Sequence, residues 1–427
     1  MIINQIMQSI WKPIKDEYQL HYEQAVKLSG QQLFELLSEV KMVYYQYPKA
    51  NMNLLSTCGC EHFYNQGNFA GCSMCNYHCN NIMGTAYLKA LRDKNTYLYA
   101  KIVKNSFLNK RGVIEQLTGE ETITGFDVFS DMEFPSEVFE QIFLQEPIYK
   151  VRPFIISVEA RADHITEEKL KRMLELFGKG RVIIEIGVEV GNEWIRNHWL
   201  NKNILDSQII NAIDLCHKYN VKLKSDIIFG IPGFTEKNSI DCFVQTVEWL
   251  HQIGSDYITV MPLNRKAYTL HNFIYERLQA NERLKSMGIV QGEHTGLPWL
   301  FSLIEGLNKC FAIDDFIAKK IGIGQYDSSL NSVDNVLGYN QDKNCECIIE
   351  VRDAIKEFNK SKDYRIVKDL SERMSYDPCY LGYQELARKQ EIVKDVRENC
   401  QVIGEEIIKM LYPTTMDEII NEWKLEI

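Results

Sequence analysis

The sequence of 427 residues lacks an apolar run long enough to cross a membrane and lacks the start of a secretory leader. A membrane helix needs about 18–20 consecutive apolar residues, and no segment approaches that length. The opening stretch, MIINQIMQSIWKPIKDEYQ, has no basic start followed by an apolar core. We therefore expect a cytoplasmic protein without membrane attachment, in a compartment that keeps thiols reduced.

An excess of positive charge is also missing. The chain has 48 basic and 58 acidic residues, a net charge of −10, whereas proteins that bind phosphate backbones usually carry a basic surface. The nine histidines form no H-E-x-x-H pattern. The glycine-rich segment IFGIPG (228–233) has neither the lysine nor the spacing of a phosphate-binding loop. The acidic composition disfavours a nucleic-acid partner. The sequence contains neither an H-E-x-x-H metal site nor a phosphate-binding loop.

Cysteine, in contrast, is concentrated in one place. Five of the 12 cysteines lie in TCGCEHFYNQGNFAGCSMCNYHCN (57–80), where Cys72 and Cys75 form a C-x-x-C and Cys60 lies upstream. In a reducing compartment such a cluster indicates metal ligands or catalytic groups rather than disulfides. Two hypotheses fit the spacing. Three thiolates can hold an iron–sulfur cluster that keeps one iron open, or a fourth cysteine can close a structural zinc site.

Strand-like and helix-like segments alternate after the cysteine loop. The predicted strands are 52–57, 123–129, 153–160, 182–190, 221–233 and 255–264. Alternation of this kind predicts parallel βαβ units, and the fold class is therefore α/β, a partial (β/α)6 TIM-type barrel. Because the cysteine loop follows the first of these strands, it is expected at the carboxyl ends of the strands, where such barrels carry their chemistry.

Three regions are predicted along the chain. Helical periodicity between Asp16 and Tyr47 predicts an N-terminal helical segment over 1–50, and the barrel with its cysteine loop follows over 51–330. Residues 331–427 change character and predict a C-terminal helical cap. Its helix-like stretches are 349–359, 381–399 and 401–411, and Thr166 is predicted to cap a barrel helix.

A second cysteine pair, Cys345 and Cys347, lies in the C-terminal region. It can join Cys379 or Cys400 around a zinc ion or a second cluster. Alternatively, Cys345 and Cys347 are free thiols, one of them placed to quench a substrate radical. We favour the thiol hypothesis and treat both as candidate catalytic residues, because two ligands alone do not make a metal site.

Several blocks of sequence occur in a particular order along the chain, after a Gly59-Cys60 pair. They are GCSMCNY (71–77), VEARADHITEEKL (158–170), IEIGVEVGNE (184–193), IIFGIPGFTEKNSI (227–240), TVMPLN (259–264), LPWLFSLIEGL (297–307) and NCEC (344–347). The ordered set resembles the radical S-adenosylmethionine superfamily. Within it, the chain looks most like the subgroup of the elongator catalytic subunit and the archaeosine-synthase radical subunit.

The resemblance implies an enzyme that holds a [4Fe–4S] cluster on Cys60, Cys72 and Cys75. Its open iron would bind S-adenosyl-L-methionine, and one electron from a flavodoxin or ferredoxin type of donor would release a 5′-deoxyadenosyl radical that takes hydrogen from a substrate. The spacing also offers Cys58 as first ligand. Cys60 is preferred because it follows a glycine, as in the family.

The resemblance also implies residues for the methionine end of the cofactor. Ser130 and Asp131 stand where the family has a Gly-Gly-Glu-like element that receives the amine. Arg161 is the candidate for the carboxylate, because a planar guanidinium matches it. An ordinary ion pair with an acidic neighbour is the alternative for Arg161.

Three further positions follow from the same blocks. Glu189, at a strand end, is the candidate acceptor for the ribose hydroxyls, with a solvated side chain as the alternative. Glu159 is the candidate for orienting the cofactor or substrate. Gly230 lies in a strand-to-helix turn where a bare backbone can approach a ligand.

For the substrate, the acidic composition favours a small molecule, a peptide or a carrier-bound intermediate of specialised metabolism. Modification of a tRNA nucleoside, similar to archaeosine synthesis, is the alternative reaction. A third hypothesis is a non-catalytic scaffold that binds a metal without cleaving the cofactor.

Overall fold

The architecture is given by a computed structural model, which describes residues 1–47, 50–67, 69–116, 119–145, 147–151, 153–324, 346–393 and 395–427. Its strands form one open sheet in chain order. They are β1 Val43–Gln46, β2 Ala50–Leu54, β3 Glu120–Thr124, β4 Ile156–Ala160, β5 Val182–Glu189, β6 Lys222–Phe229, β7 Tyr257–Pro262 and β8 Ile321–Ile323. β1 is antiparallel to β2, and every later pair is parallel.

Helices connect the strands and cover the sheet. They are α1 Ile2–Ile10, α2 Lys12–Ala25, α3 Gly30–Leu37, α4 Ile82–Lys94, α5 Thr96–Arg111, α6 Ser136–Phe143, α7 Glu167–Phe177, α8 Glu193–His198, α9 Asp206–Lys218, α10 Glu236–Gln252, α11 Leu270–Arg277, α12 Glu282–Ser286, α13 Leu300–Ile313, α14 Ile317–Lys320, α15 Glu346–Ser361, α16 Tyr364–Met374, α17 Pro378–Gln390, α18 Val396–Leu411 and α19 Met416–Glu426. Short 3-10 helices occupy Glu61–Gly67, Tyr77–Asn81, Ala162–His164 and Gly292–His294. Within the described ranges, no helix has the length and apolar character needed to cross a membrane.

The predicted α/β fold class is confirmed. The six predicted strands correspond to β2–β7, and β1 and β8 extend the sheet at its two edges. The helix predicted up to Tyr47 is wrong at its end, where VYYQ forms β1. Aromatic and β-branched residues suit a strand, and here they pair with β2.

The strand predicted over 123–129 is shifted. β3 begins at Glu120 and ends at Thr124. Beyond it, the backbone N–H groups of Phe126 and Asp127 donate to the buried carboxylate of Glu133, at 2.6 and 2.8 Å. Because these N–H groups bind a carboxylate, they cannot donate to a neighbouring strand. The hydrogen bonding of the sheet therefore stops after Thr124 and the chain forms a loop.

The two faces of the half-barrel carry different side chains, because successive residues of a strand point to opposite faces. Ile123, Val158 and Ile184 are fully buried in a core shared with the surrounding helices. Complete burial of such a side chain is worth about 1.5–3 kcal/mol. The alternate residues, such as Thr124 and Ser157, form the inner face and are mostly polar. The interior of the half-barrel is therefore suited to a polar ligand.

One predicted helix start is confirmed and one predicted helix is divided in two. Thr166 accepts a hydrogen bond from the Lys169 N–H, so the predicted cap of α7 is confirmed. In the C-terminal region, the single helix predicted over 381–399 is wrong. Asp395 caps the start of α18 by accepting from two backbone N–H groups, which separates α18 from α17.

The terminal helices share one core. Ile3 of α1, Ile403 of α18 and Trp423 of α19 are fully buried in the same hydrophobic cluster. The helices α15, α16 and α17 contribute instead to the core of the barrel. The boundaries at residues 50 and 330 stay predictions, since residues 325–345 lie outside the described ranges.

Candidate functional site

The predicted site residues follow the carboxyl ends of consecutive strands. The cysteine loop follows β2, Ser130 follows β3, Arg161 follows β4, Glu189 ends β5 and Gly230 follows β6. Because parallel strands end at the same edge of a sheet, this topology brings distant segments to one mouth of the half-barrel.

The first part of the cysteine loop is held by a buried histidine. The backbone N–H of Cys60 donates to Nε2 of His78 at 3.2 Å, and the His78 ring stacks on Phe63 with centroids 3.9 Å apart. Burial lowers the pKa of His78 to about 3, so the ring is a neutral acceptor. Gly59, at φ +94°, allows this approach, since a Cβ there would lie 2.3 Å from the His78 ring.

The C-x-x-C segment is fixed by loops that follow other strands. The N–H of Cys75 donates to the carbonyl of Cys72 at 3.1 Å and closes a turn. Between them, Ser73 donates its N–H to the Leu200 carbonyl at 2.9 Å, and its own carbonyl accepts from Leu270 at 2.8 Å. The turn is therefore positioned by the barrel rather than by the loop alone.

Cys60, Cys72 and Cys75 are brought together. All three are half-buried, and their charges influence one another electrostatically. Burial raises the pKa of the Cys72 thiol to about 11 despite the neighbouring charges of Lys202 and Arg161. A metal centre at this position must therefore displace thiol protons when it binds.

The spacing of these sulfur atoms differs from that of a single-ion site. Among the described residues, Cys60, Cys72 and Cys75 do not form a group whose ligand atoms all lie within 4.8 Å of one another. One tetrahedral zinc with bonds of about 2.3 Å needs its sulfur atoms about 3.8 Å apart. A cluster whose thiolates bind different irons needs a wider triangle.

Two buried polar groups flank the same thiols. The hydroxyl of Ser73 and the amide nitrogen of Asn76 have no hydrogen-bond partner within the described parts of the chain. A buried donor without a partner costs about 1–3 kcal/mol. A bound group that offers acceptors, such as the sulfides of an iron–sulfur cluster, fits this arrangement.

The other two loop cysteines have different surroundings. Cys58 is fully buried, its sulfur lies 3.6 Å from the Met132 carbonyl, and burial raises its pKa to about 12. Burial also raises the pKa of Cys79 to about 12, with a further contribution from the charge of Cys75. The structure thus groups Cys60, rather than Cys58, with the C-x-x-C pair.

Arg161 lies near Cys60 and Cys72. Its guanidinium donates to the Asp163 carboxylate at 3.1 Å and to the carbonyls of Lys202 and Asn203, each at 3.2 Å. It influences the charge of both Cys60 and Cys72. The ion pair with an acidic neighbour, which was the alternative interpretation of Arg161, is present as the contact with Asp163. The same contacts hold the guanidinium near Cys60 and Cys72.

Lys202 is a site residue that the sequence analysis missed. Its ammonium pairs with Glu189 at 2.6 Å, and both side chains are nearly buried. The neighbours Asn201 and Asn203 have φ values of 54° and 55°, a conformation that asparagine tolerates better than most residues. The Asn-Lys-Asn sequence was therefore the signal that could have predicted a tight loop at Lys202. This loop brings the Lys202 ammonium close to Cys72.

The two residues predicted to receive the methionine amine are separated. Ser130 is buried, and its hydroxyl donates to Glu61, next to Cys60, at 2.8 Å. The Asp131 side chain is 88% exposed and pairs with Lys169 at 3.1 Å. The structure therefore brings Ser130 to the cysteine loop and leaves Asp131 at the surface.

Glu159 lies on the inner face of the half-barrel. It accepts from the Thr124 hydroxyl, and burial, together with the charge of Glu185, raises its pKa to about 7. Glu185 itself pairs with Lys224 at 2.6 Å, and burial raises the pKa of the nearby Asp226 well above its ordinary value. The interior below the cysteine loop is thus rich in carboxyl groups.

Gly230 and Cys347, the remaining candidates within the described ranges, have different surroundings. Gly230, at φ +89°, faces Pro298, and a Cβ at this position would lie 2.8 Å from that ring. Cys347 is buried on α15 and its sulfur lies near Asp377 and Cys379. Cys345 lies outside the described residues. The roles assigned to the individual site residues stay predictions.

Comparisons with known proteins identify relatives in sequence. No family model matches the chain. An uncharacterized protein of Methanocaldococcus jannaschii is 23% identical over 248 residues, 57% of this chain and 60% of that protein. Archaeosine synthase subunit beta of Methanosarcina acetivorans is 22% identical over 157 residues, 37% of this chain and 41% of that protein. The chain thus covers less than two thirds of either relative.

Solved structures overlap the chain weakly. Coproporphyrinogen III oxidase HemN of Escherichia coli, described as a radical SAM enzyme, aligns with a TM-score of 0.34 and 12% identity, over 51% of this chain and 43% of that chain. The radical S-adenosylmethionine methyltransferase TsrM of Kitasatospora setae aligns with a TM-score of 0.40 and 11% identity, over 77% and 63%. Overlaps of this size carry no argument about chemistry. The resemblance to the archaeosine synthase subunit, predicted from the motifs, is confirmed by the sequence alignment.

Proposed function

We propose that this protein is a radical S-adenosylmethionine enzyme. The observation that carries the proposal is the grouping of Cys60, Cys72 and Cys75 at the mouth of a parallel half-barrel, beside the cations of Arg161 and Lys202. Three thiols suit a [4Fe–4S] cluster with one open iron, because such a cluster normally takes four ligands and this group supplies three.

The chain's own residues would bind and orient the cofactors. Cys60, Cys72 and Cys75 would hold the cluster, which together with S-adenosyl-L-methionine supplies a 5′-deoxyadenosyl radical when reduced by a flavodoxin or ferredoxin type of donor. Arg161 would bind the methionine carboxylate, since its guanidinium is already held in place by Asp163. Glu189 would accept from the ribose hydroxyls while Lys202 fixes its carboxylate.

The same proposal assigns the substrate to a polar small molecule, peptide or carrier-bound intermediate in the cytoplasm. The inner face of the half-barrel supports this assignment, because Glu159, Glu185 and Asp226 surround one ammonium group, that of Lys224. Burial raises the pKa of Glu159 and of Asp226, so these carboxyl groups favour their protonated forms and can donate as well as accept hydrogen bonds. A hydroxylated or basic substrate suits such groups.

A second candidate function is modification of a tRNA nucleoside. The alignment with archaeosine synthase subunit beta favours it, whereas the net charge of −10 opposes it. Binding of bulk tRNA, measured over a range of salt concentrations, separates the two candidates. We expect no binding at about 0.15 M salt, because few phosphates would be neutralised. Salt-dependent binding in the micromolar range would support the tRNA function.

The test of the enzyme class needs no substrate. The protein is loaded anaerobically with iron and sulfide, reduced and mixed with S-adenosyl-L-methionine, and 5′-deoxyadenosine is measured by mass spectrometry. We expect product from the wild type and from Cys58→Ala, and none from Cys60→Ala, Cys72→Ala or Cys75→Ala. A loop that binds zinc and excludes iron would contradict the proposal and support the scaffold hypothesis.

A further inference from the structure

The C-terminal helices bring two thiols and a carboxylate together outside the cysteine loop. The sulfur atoms of Cys347 and Cys379 and a carboxylate oxygen of Asp377 all lie within 4.8 Å of one another. Cys347 is buried, and the other two are half-buried. Within the described ranges, this is the one group of three possible ligands among His, Cys, Asp and Glu that is so compact.

The first turns of two helices supply the three residues. Cys347 is the second residue of α15, Asp377 is the N-cap of α17 and Cys379 is the second residue of α17. Helix N-termini favour negative charge, so the backbone at both helix starts suits a group of anionic metal ligands.

Asp377 is oriented toward this group by its own helix. Its Oδ1 accepts the N–H of Cys379 at 2.7 Å, as expected of an N-cap. A carboxylate has two oxygens, so Oδ2 can bind a metal while Oδ1 keeps the cap. Pro378 stands between the two ligands at the first helical position, where its fixed φ suits the start of a helix.

The separation of the three ligand atoms, which is within 4.8 Å for every pair, suits a single ion rather than a cluster. Tetrahedral zinc, with Zn–S bonds of about 2.3 Å and Zn–O bonds of about 2.0–2.2 Å, needs ligand atoms about 3.5–4 Å apart. Two thiolates and a carboxylate are donors that zinc accepts. We propose that Cys347, Cys379 and Asp377 bind one zinc ion that ties the start of α15 to the start of α17. Water or a further side chain completes the tetrahedron.

The location indicates what such an ion would do. α15 contacts β8, the last strand of the sheet, and also α16. A zinc ion between α15 and α17 would therefore fix the C-terminal helices against the edge of the half-barrel. This role is structural, and it is independent of the function proposed for the cysteine loop.

The test uses the full chain with the loop thiols removed. In a Cys60→Ala, Cys72→Ala, Cys75→Ala background, we expect about one zinc per chain after incubation with zinc and removal of excess, since the three remaining ligands suffice. Adding Cys347→Ala or Cys379→Ala should lower the zinc content to near zero. Adding Cys216→Ala, which removes a buried thiol on α9, should leave it unchanged. Zinc retained after loss of both Cys347 and Cys379 would overturn the proposal.

A second measurement needs no variant at this site. In the wild-type protein, Cys347 and Cys379 are alkylated with iodoacetamide with and without zinc, and the labelled peptides are quantified by mass spectrometry. We expect zinc to protect both thiols together, and a chelator to remove the protection. Equal labelling with and without zinc, a Cys347–Cys379 disulfide, or iron and sulfide in place of zinc would each contradict a single zinc ion.

Discussion

The two cysteine-bearing regions of this protein differ in the spacing of their ligands and in the charges around them. In the loop after β2, the ligand atoms of Cys60, Cys72 and Cys75 do not all lie within 4.8 Å of one another, and the cations of Arg161 and Lys202 lie beside them. In the C-terminal helices, Cys347 and Cys379 lie close to each other and to a carboxylate. We therefore expect the spacing of the ligands, together with the neighbouring charges, to determine which metal centre each region binds.

The difference also concerns access. The loop thiols lie at the mouth of the half-barrel, above an interior with ionisable groups such as Glu159, where a cofactor and a substrate can meet. The C-terminal thiols lie at the starts of α15, which contacts β8, and of α17, which contacts α10. We therefore expect the first region to react and the second to stabilise the fold.

The largest expected effect comes from Cys72→Ala. This change removes a cluster ligand, so iron binding and formation of 5′-deoxyadenosine should fall to background while the zinc content stays unchanged. Iron analysis and mass spectrometry of the same sample measure both. Cys79→Ala is the matched control in the same loop and should keep the activity. If Cys72→Ala lost zinc instead of iron, the comparison between the two regions would fail.

The next effect is expected from Lys202→Met. Loss of the ammonium leaves Glu189 nearly buried without its partner and removes a cation beside Cys72. Residues that orient the ligands of a metal centre typically contribute about 10–100-fold to activity, and we expect a loss of that size in the rate of 5′-deoxyadenosine formation. Lys222→Met, which breaks an ion pair of an exposed lysine with Asp256, should change the rate little.

A smaller effect is expected from the pH dependence of stability. Burial raises the pKa of Glu236, beneath α17, from 4.5 to about 7. Between about pH 4.5 and pH 7, the folded state keeps a proton on Glu236 that the unfolded state releases. The stability that protonated Glu236 contributes is therefore complete below about pH 4.5 and is lost as the pH rises to about 7. Glu236→Gln should remove this loss, which amounts to about 3 kcal/mol at most between the ends of that range.

Urea unfolding at about pH 5 and about pH 8 measures the change. Glu236→Gln should also leave 5′-deoxyadenosine formation unaltered, since Glu236 faces α13 and α17, where its carboxylate accepts from the Ser302 hydroxyl and its N–H donates to Gln390. An equal pH dependence in the variant and the wild type would show that Glu236 does not carry this proton.

The smallest effect is expected from Asp131→Asn. The Asp131 side chain is exposed and pairs with Lys169 at the surface, and exposed ion pairs contribute little. The rate of cofactor cleavage should therefore change less than about twofold. Ser130→Ala, which removes a contact with Glu61 beside the loop, should have the larger effect. A larger loss of rate from Asp131→Asn than from Ser130→Ala would instead support Asp131 as a cofactor ligand.

Much of the fold could be predicted because its signals are local. Alternating apolar strands and amphipathic helices occur in the sequence itself, and Thr166 was recognisable as a cap. The segment VYYQ was mistaken for helix because its strand is decided by pairing with β2. The end of β3 depends on Glu133, whose carboxylate accepts the N–H groups of the following loop.

The sequence by itself determined which thiols are adjacent, that Cys72 and Cys75 follow a strand, and that the chain is acidic. Only the tertiary structure decided which partners these thiols meet. Lys202 approaches Cys72 after about 130 intervening residues of chain, and Cys347 meets Cys379 where α15 and α17 begin. The physical reason is that spacing along a chain fixes distances within one turn or loop, whereas contacts between loops depend on how the strands align in the sheet.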